Sequence, residues 1–505
     1  MKAWAVERTA IRRWDSAHTV VIVSAVLAGF VARLVPVLRG SGLDGVLGYD
    51  DGVYFTGGAA LVAGRMPYSD FTFLHPPGIL LLMAPFAELG RLTSDHTGLA
   101  VARLTFMALG AVNAGLVAAV SARTTVGRSP RLAAAALGGL FYAFWFSSVY
   151  STRTTLLPGV GTTCLLTALL LVWRTRPARW AVLVAGAALG FGACMKIWGV
   201  VPLAVVGLWV WRRHGTGAAA RLAGGAVGTA VAVCGPFLLL APREMVRMVL
   251  IDQLSRPTST PSLVSRALDA SSLHRAAPSL SGVPAVLVLV PVCLVVLACC
   301  AIVWRAGNGL LVLLLAATSV MLVTSPSYFT HYGEFVAAPL ALVVAGAAGA
   351  WWARAGRRRG RLTLAVPFLV LLLELPALAP PFGSPLDRHA LQQAVAGARC
   401  VATETPSMLA ITDTLTSSLR AGCVVPVDVT GSVYDRFQMQ QPDGRVVPRI
   451  DNAPYQRYLV DYLVSADAQV LTHGERWLIT KPGLKRLHEG RLVERQGAIR
   501  VYRRP

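Results

Sequence analysis

Two adjacent carboxylates, Asp50 and Asp51, stand directly after the first long apolar run, in the stretch Gly-Tyr-Asp-Asp-Gly-Val-Tyr that begins at Gly48. A carboxylate at a membrane surface is partly desolvated, which raises its proton affinity and suits it to act as a general base. Tyr54, Ala60 and Leu61 continue at helical spacing, so the pair opens an amphipathic helix. A structural reading stands beside this one. Acidic residues favour the first turn of a helix through its dipole, and Asp50 would then be a cap. Asp70 and His75 follow in the same polar stretch. They have the chemistry to position a donor or an acceptor, or to help hold a divalent cation. Their spacing matches no metal motif, so no metal ligands are assigned and a divalent cation stays an open cofactor. Lys196 interrupts an apolar run. A charge there is costly and functional by default, unless it snorkels to the interface. The stretch 325–334 carries His331 and Tyr332 at the end of another apolar run. Interfacial-belt aromatics occupy such places too.

The elements that must position these residues are set by hydropathy. The chain has 505 residues, 55% of them hydrophobic and 14% charged, with mean hydropathy +0.58. Soluble domains carry roughly a quarter charged residues. Runs near the about 20 residues needed to cross a bilayer recur from 20 to 380, so the chain is a polytopic membrane protein. The net charge of +22 sits in short loops between apolar runs, as the positive-inside rule requires. It lacks the aromatic interleaving of a nucleic-acid surface, so no nucleic-acid partner is expected.

Basic clusters fix the expected topology. Arg8, Arg12 and Arg13 hold the N-terminus inside, and a first span at 18–38 leads out. Arg123, Arg128 and Arg131 are inside again, so only one of the two apolar segments 75–90 and 99–121 crosses. The shorter, ~24 Å as a helix, is expected to lie along the outer interface. Residues 40–98 then form one external loop. Spans follow at 132–149 and 156–173, as a hairpin over 180–211 with Lys196 near its outer tip, and at 222–240. The last four are 285–304, 310–324, 335–352 and 362–378, with a second external loop at 242–284 between the two groups. Arg354, Arg357, Arg358, Arg359 and Arg361 give the strongest inside signal. The total is about 11 transmembrane helices, which leaves the C-terminus outside.

Two parts are expected: a transmembrane module over 1–380 and a small external α/β domain over 381–505. In the tail, 424–429 and 468–472 read as strands, and 407–418 and 455–464 as helices. Cys400 and Cys423 lie in this polar tail and are expected to pair in an oxidising exterior, while the other cysteines sit in apolar runs as packing residues. Gly186 and Gly190 form a small-xxx-small pair for close helix packing.

The external loop resembles that of GT-C superfamily glycosyltransferases, in particular the branch with protein O-mannosyltransferases and the lipid A aminoarabinose transferase. The residues that carry the likeness are Asp50, Asp51 and Tyr54; then Leu61, Gly64, Pro67 and Tyr68; then His-Pro-Pro-Gly from His75 to Gly78. The family usually has Asp-Glu where this chain has Asp50-Asp51. The resemblance implies an inverting glycosyltransferase in the cell membrane, with Asp50 and Asp51 catalytic. It would draw sugar from a polyprenyl-phosphate donor and pass it to a lipid, glycan or protein acceptor outside the cytoplasm. The leaving phosphate needs positive charge, for which Arg65, Arg103, Arg153 and Lys196 are the candidates. His331 and Tyr332 match a His-Tyr pair that lines the donor groove. Two other classes are weighed: a secondary transporter or lipid flippase, against which the sequence shows no internal repeat, and a membrane scaffold.

Overall fold

The computed structural model describes residues 15–254, 256, 262–276, 279–360, 365–383, 385–442, 447–472 and 479–504. Arg8, Arg12, Arg13 and Arg361, and the start of the expected last span, lie outside the described residues. The chain is mostly helical. In order come α1 (Ser16–Arg39), α2 (Tyr49–Val62), α3 (Gly78–Leu92), α4 (Asp95–Thr124), α5 (Arg128–Phe144) and α6 (Phe146–Thr152). Then follow α7 (Leu157–Val172), α8 (Arg179–Met195), α9 (Val200–His214) and α10 (Thr216–Leu240). Among the described residues the expected spans fall on helix, apart from a break at Trp145. Among the described residues α1, α4, α10, Gly282–Arg305 and Thr330–Ala355 are long and apolar enough to cross a membrane singly. The helices α7, α8 and Gly309–Thr324 are apolar but shorter.

The expected straight span at 132–149 is instead two helices, α5 and α6, bent by 59°. Trp145 between them is extended (φ −65°, ψ 123°). The freed backbone groups find partners, as they must in an apolar medium. Ser148 Oγ donates to the Trp145 carbonyl at 2.9 Å, and Phe146 N–H donates to Glu374 at 3.2 Å. Fully buried Arg33 of α1 anchors the bend, donating to Thr152 Oγ1 at 2.6 Å and to the Ser148 carbonyl at 3.2 Å. The 180–211 hairpin forms as α8 and α9, joined through the 3-10 turn Ile197–Gly199. Gly186 and Gly190 let α8 meet α10 backbone to backbone. A Cβ on either would come within 1.9 Å of Leu222 O or 2.6 Å of Ala226 O.

Helix α2 is not amphipathic. Residues Asp51 to Ala60 are all buried, between α3, the loop that follows α2, and the C-terminal segment. That segment contains a mixed four-stranded sheet, in the order β1 (Val401–Thr403), β2 (Ala468–Leu471), β4 (Ile499–Arg503), β3 (Arg491–Gln496). β1 and β2 run parallel, in the register Val401↔Ala468, and the other pairs are antiparallel. The expected strand at 468–472 is therefore present, as is the helix at 455–464 (Ala453–Val464). The expected helix at 407–418 is two helices, Ser407–Ile411 and Leu415–Arg420, broken near Asp413 (φ 58°). The expected strand at 424–429 pairs with no strand among the described residues. Val425, Val427 and Val429 are buried alternately: Val425 and Val427 pack against α2, with Val427 Cγ1 in contact range of Gly57, and Val429 packs into the core of the C-terminal segment itself. Cys400 and Cys423 are disulfide-bonded, with Cα atoms 5.7 Å apart.

Candidate active site

The two adjacent carboxylates are separated by the helix that carries them. Successive residues on an α-helix point about 100° apart, so Asp50 and Asp51 face different neighbours. Asp51 is fully buried and paired with fully buried Arg103 of α4, whose Nε donates to Asp51 Oδ2 at 3.0 Å. Its other oxygen accepts from Thr155, Oγ1 at 2.9 Å and N–H at 3.2 Å. Arg103 also donates to the carbonyls of Leu43 and Gly45. The pair is a clamp that fixes the start of α2 against α4 and the entry loop, and it leaves Asp51 little capacity for a substrate.

Asp50 is different. The helix N-cap is Gly48, without a side-chain cap bond, so Asp50 is not the cap. Asp50 is half-buried, and among the described residues its carboxylate has no hydrogen-bond partner. Burial, and after it the charge of Asp428, pushes its carboxyl up to about 6, against the pull of Lys196 and Arg256. A carboxylate so placed is accessible, uncommitted and basic enough to take a proton near neutral pH.

The surrounding wall is assembled from distant segments. After α2 the chain reverses through Gly64 (φ 83°) and Tyr68 (φ 73°), a left-handed conformation that strains a tyrosine. Tyr68 is held by burial and by its hydroxyl, which donates to the His75 carbonyl at 2.8 Å. His75 packs edge-on to Tyr54 (6.0 Å between centroids) and Phe73 (5.9 Å). Burial, with the charges of Lys196 and Arg256, holds its imidazole well below its ordinary value. It is a neutral hydrogen-bonding group at physiological pH. Gly78 then seats α3 on the end of α8, where a Cβ would lie 2.6 Å from the Cys194 carbonyl. The next turn presents Lys196, buried, with Nζ 3.8 Å from the Tyr332 ring centre and 5.0 Å from that of Trp198. Tyr332 and His331 lie in the turn Thr330–Gly333, edge to face with each other.

Asp50, Tyr54, His75, Lys196, His331 and Tyr332 are thus brought to one place. Four candidates are not. Asp70 is exposed and accepts from Met66 N–H at 2.7 Å, so it closes the turn rather than facing the site. Arg103 is committed to Asp51. Arg153 lies over the rings of Phe382 (3.8 Å) and Tyr150 (5.2 Å) instead. Arg65 donates to the Cys423 carbonyl and fastens the C-terminal segment. Asp70 and His75 do not converge as metal ligands. Among the described residues no group of three or more His, Cys, Asp or Glu is placed to hold a metal ion.

Sequence reasoning missed Asp428, Arg256 and Tyr434. Asp428 Oδ1 accepts from Tyr49 Oη at 3.0 Å and from Gly431 N–H at 2.7 Å. The Arg256 guanidinium lies 4.5 Å from the Tyr434 ring centre. Thr72 and Arg247 both reach Asp435, at 2.6 and 2.5 Å, which draws the first loop, the second loop and the tail together. No local signal marked Asp428, because the alternating valines around it read as a strand. The result is a cluster of mixed charge: Asp50 and Asp428 against Lys196 and Arg256. It can deprotonate a hydroxyl and neutralise a leaving anion side by side.

Residues 73–326 match the sequence model of glycosyltransferase family 87. Among curated proteins, none matches the chain. Solved structures share the fold. Apo ArnT from Cupriavidus metallidurans is 14% identical with a TM-score of 0.55, the match covering 96% of this chain and 98% of ArnT. The same protein bound to undecaprenyl phosphate gives a TM-score of 0.53 at 14% identity, over 97% and 98%. The oligosaccharyltransferase AglB from Archaeoglobus fulgidus, in complex with an inhibitory peptide and a dolichol-phosphate, is 11% identical with a TM-score of 0.56. That match covers 90% of this chain and 69% of AglB.

Proposed function

The chain belongs to glycosyltransferase family 87 and is a multi-pass membrane glycosyltransferase of the GT-C type, and we propose that it moves a sugar from a polyprenyl-phosphate donor to an acceptor hydroxyl with inversion. The observation that carries this is Asp50: accessible, unpartnered among the described residues and facing Lys196, while Asp51 beside it is clamped. In the reaction Asp50 takes the acceptor proton as that oxygen attacks the anomeric carbon. The bond from this carbon to the phosphate oxygen breaks on the opposite face. Lys196 meets the charge that develops on the leaving phosphate. Neutral His75 donates or accepts a hydrogen bond to the sugar, and Tyr54, His331 and Tyr332 shape its enclosure.

The donor class is supported by the undecaprenyl phosphate bound to ArnT and the dolichol-phosphate bound to AglB, which share this fold. An apolar cleft of about 760 Å³ between α9 and Gly309–Thr324 runs from Val201 and Thr324 to Arg212 and Gly309. Its first end lies a few residues beyond Lys196, so an isoprenoid tail would lie in it with its phosphate at the lysine. The loop basic clusters favour a cytoplasmic N-terminus and a site on the outer face, where soluble nucleotide sugars are absent. The transporter and scaffold readings give way to the family assignment.

The test offers solubilised enzyme radiolabelled polyprenyl-phosphate sugars and nucleotide sugars in parallel. Transfer from the lipid donors alone is expected; transfer from a nucleotide sugar with the lipid donors inert would refute the reading. Sidedness is read with single cysteines at exposed Ser69, Gln440 and Thr216, on a background without the free cysteines. An impermeant reagent should label the first two in intact cells and the third only after lysis.

A further inference from the structure

The C-terminal segment is a wall of the active site and not an appendage. Gly52 of α2 lies so close to it that a Cβ would stand 2.2 Å from the Ser407 backbone nitrogen, and one on Gly57 would meet Val427 at 3.2 Å. Tyr49, the residue before Asp50, donates its hydroxyl proton to Asp428 and accepts from Thr430 N–H at 2.7 Å. Asp428 is held on one oxygen only. Oδ1 takes Tyr49 and Gly431, while Oδ2 has no partner among the described residues. A Cβ on Gly431 would fall 1.9 Å from that Oδ2, so the glycine keeps the space beside it clear. Asp428 is half-buried, and of the charged groups around Asp50 it acts on it most strongly.

An in-line displacement has two sides. The leaving phosphate belongs with Lys196, on the membrane-helix side of Asp50. The attacking hydroxyl must come from the other, and there the wall is Asp428 with Tyr434. We propose that Asp428 is an acceptor-specificity residue whose free carboxylate oxygen accepts a hydrogen bond from a second hydroxyl of the acceptor, next to the one that Asp50 deprotonates. This rests on the transferase reading above and narrows its acceptor to a polyol, a carbohydrate moiety, rather than the isolated hydroxyl of a serine or threonine side chain.

The test uses full-length enzyme, polyprenyl-phosphate sugars as donors and a panel of octyl glycosides with their singly deoxygenated derivatives. A threonine-containing peptide is the competing acceptor. Asp428→Asn should raise KM for the octyl glycoside about tenfold or more, the range for losing a hydrogen bond to a charged group, with KM for the donor within twofold. One deoxy position should cost the wild type about tenfold and Asp428→Asn nothing further, because the hydroxyl and the carboxylate are partners. A second readout is the acid limb of the pH profile. Asp50 is faced by Asp51 and Tyr54 on its own helix, and by Lys196, Arg256, Tyr332 and Asp428 from other elements. Removing the negative charge of Asp428 should move that limb to lower pH. Tyr49→Phe breaks the latch but keeps the carboxylate, so it separates recognition from support. Equal losses in the two variants with no shift of the limb, or no deoxy acceptor coupled to Asp428, would overturn the assignment. Preference of the wild type for the peptide would overturn the polyol class. A wild type inert with every polyprenyl donor would instead overturn the transferase reading on which the proposal rests.

Discussion

Replacing Asp51 by asparagine removes the anion against which Arg103 is buried. Both side chains are fully inaccessible, and Arg103 directs two nitrogens at Asp51 Oδ2. The amide has a single oxygen, so it either keeps that oxygen for Thr155 and turns its NH2 toward the guanidinium, or offers the guanidinium a weaker, neutral acceptor and turns its NH2 toward Thr155. Breaking a buried pair by removing one partner costs about 3–5 kcal/mol, because the remaining charge stays desolvated. Arg103 retains the Leu43 and Gly45 carbonyls, which places the expected loss toward the lower end, about 3 kcal/mol. Asp50→Asn should show no such loss. Its carboxyl is raised to about 6 from 3.8, so the folded protein binds the proton more tightly than the unfolded chain. The ionised form therefore costs stability above about pH 6, and this cost is relieved as pH falls toward 4. At neutral pH the neutral amide should leave stability equal or higher. The assay is thermal unfolding of detergent-purified protein followed by tryptophan fluorescence, with the double variant Asp51→Leu/Arg103→Leu recovering part of the loss. An Asp51→Asn protein as stable as the wild type, or an equal loss in Asp50→Asn, would refute the division of roles between the two carboxylates.

Asp50→Asn should lower turnover by roughly 10²–10⁴, the range for losing a general base, in protein that inserts and unfolds normally. In the wild type kcat/KM should rise with pH to a plateau, half-maximal at about 6, since the base works deprotonated; a profile flat from pH 5 to 8 would count against Asp50. Lys196→Ala should reduce transfer by roughly 10²–10³ by removing charge from the leaving phosphate, and normal donor use would remove the lysine from the site. Cys400→Ser should destabilise the C-terminal segment by roughly 3 kcal/mol in the chain-entropy model for a separation of 23 residues; two free thiols in non-reduced peptides of the wild type would contradict the bridge.

The sequence by itself determined the membrane bundle, because bilayer thickness imposes a length and a composition that each span must show locally. It also located the acidic pair, the His75 turn and the Lys196 hairpin, since a charge beside or inside an apolar run is visible without neighbours. That α8 packs closely on some helix was legible because small residues four apart record a helix face, but the structure alone names α10 as the partner. Only the tertiary structure decided which of two adjacent carboxylates is free. Local pattern places both on one helix turn, and the choice depends on Arg103 and Thr155 arriving from other helices. It alone turned Asp70 and Arg153 away from the site, broke the span at Trp145, and laid the 424–429 segment over α2. Alternating valines report that every second side chain is buried, not whether a strand or a helix covers them. Asp428 entered the pocket by that same packing, from the far end of the chain, where periodicity has no reach.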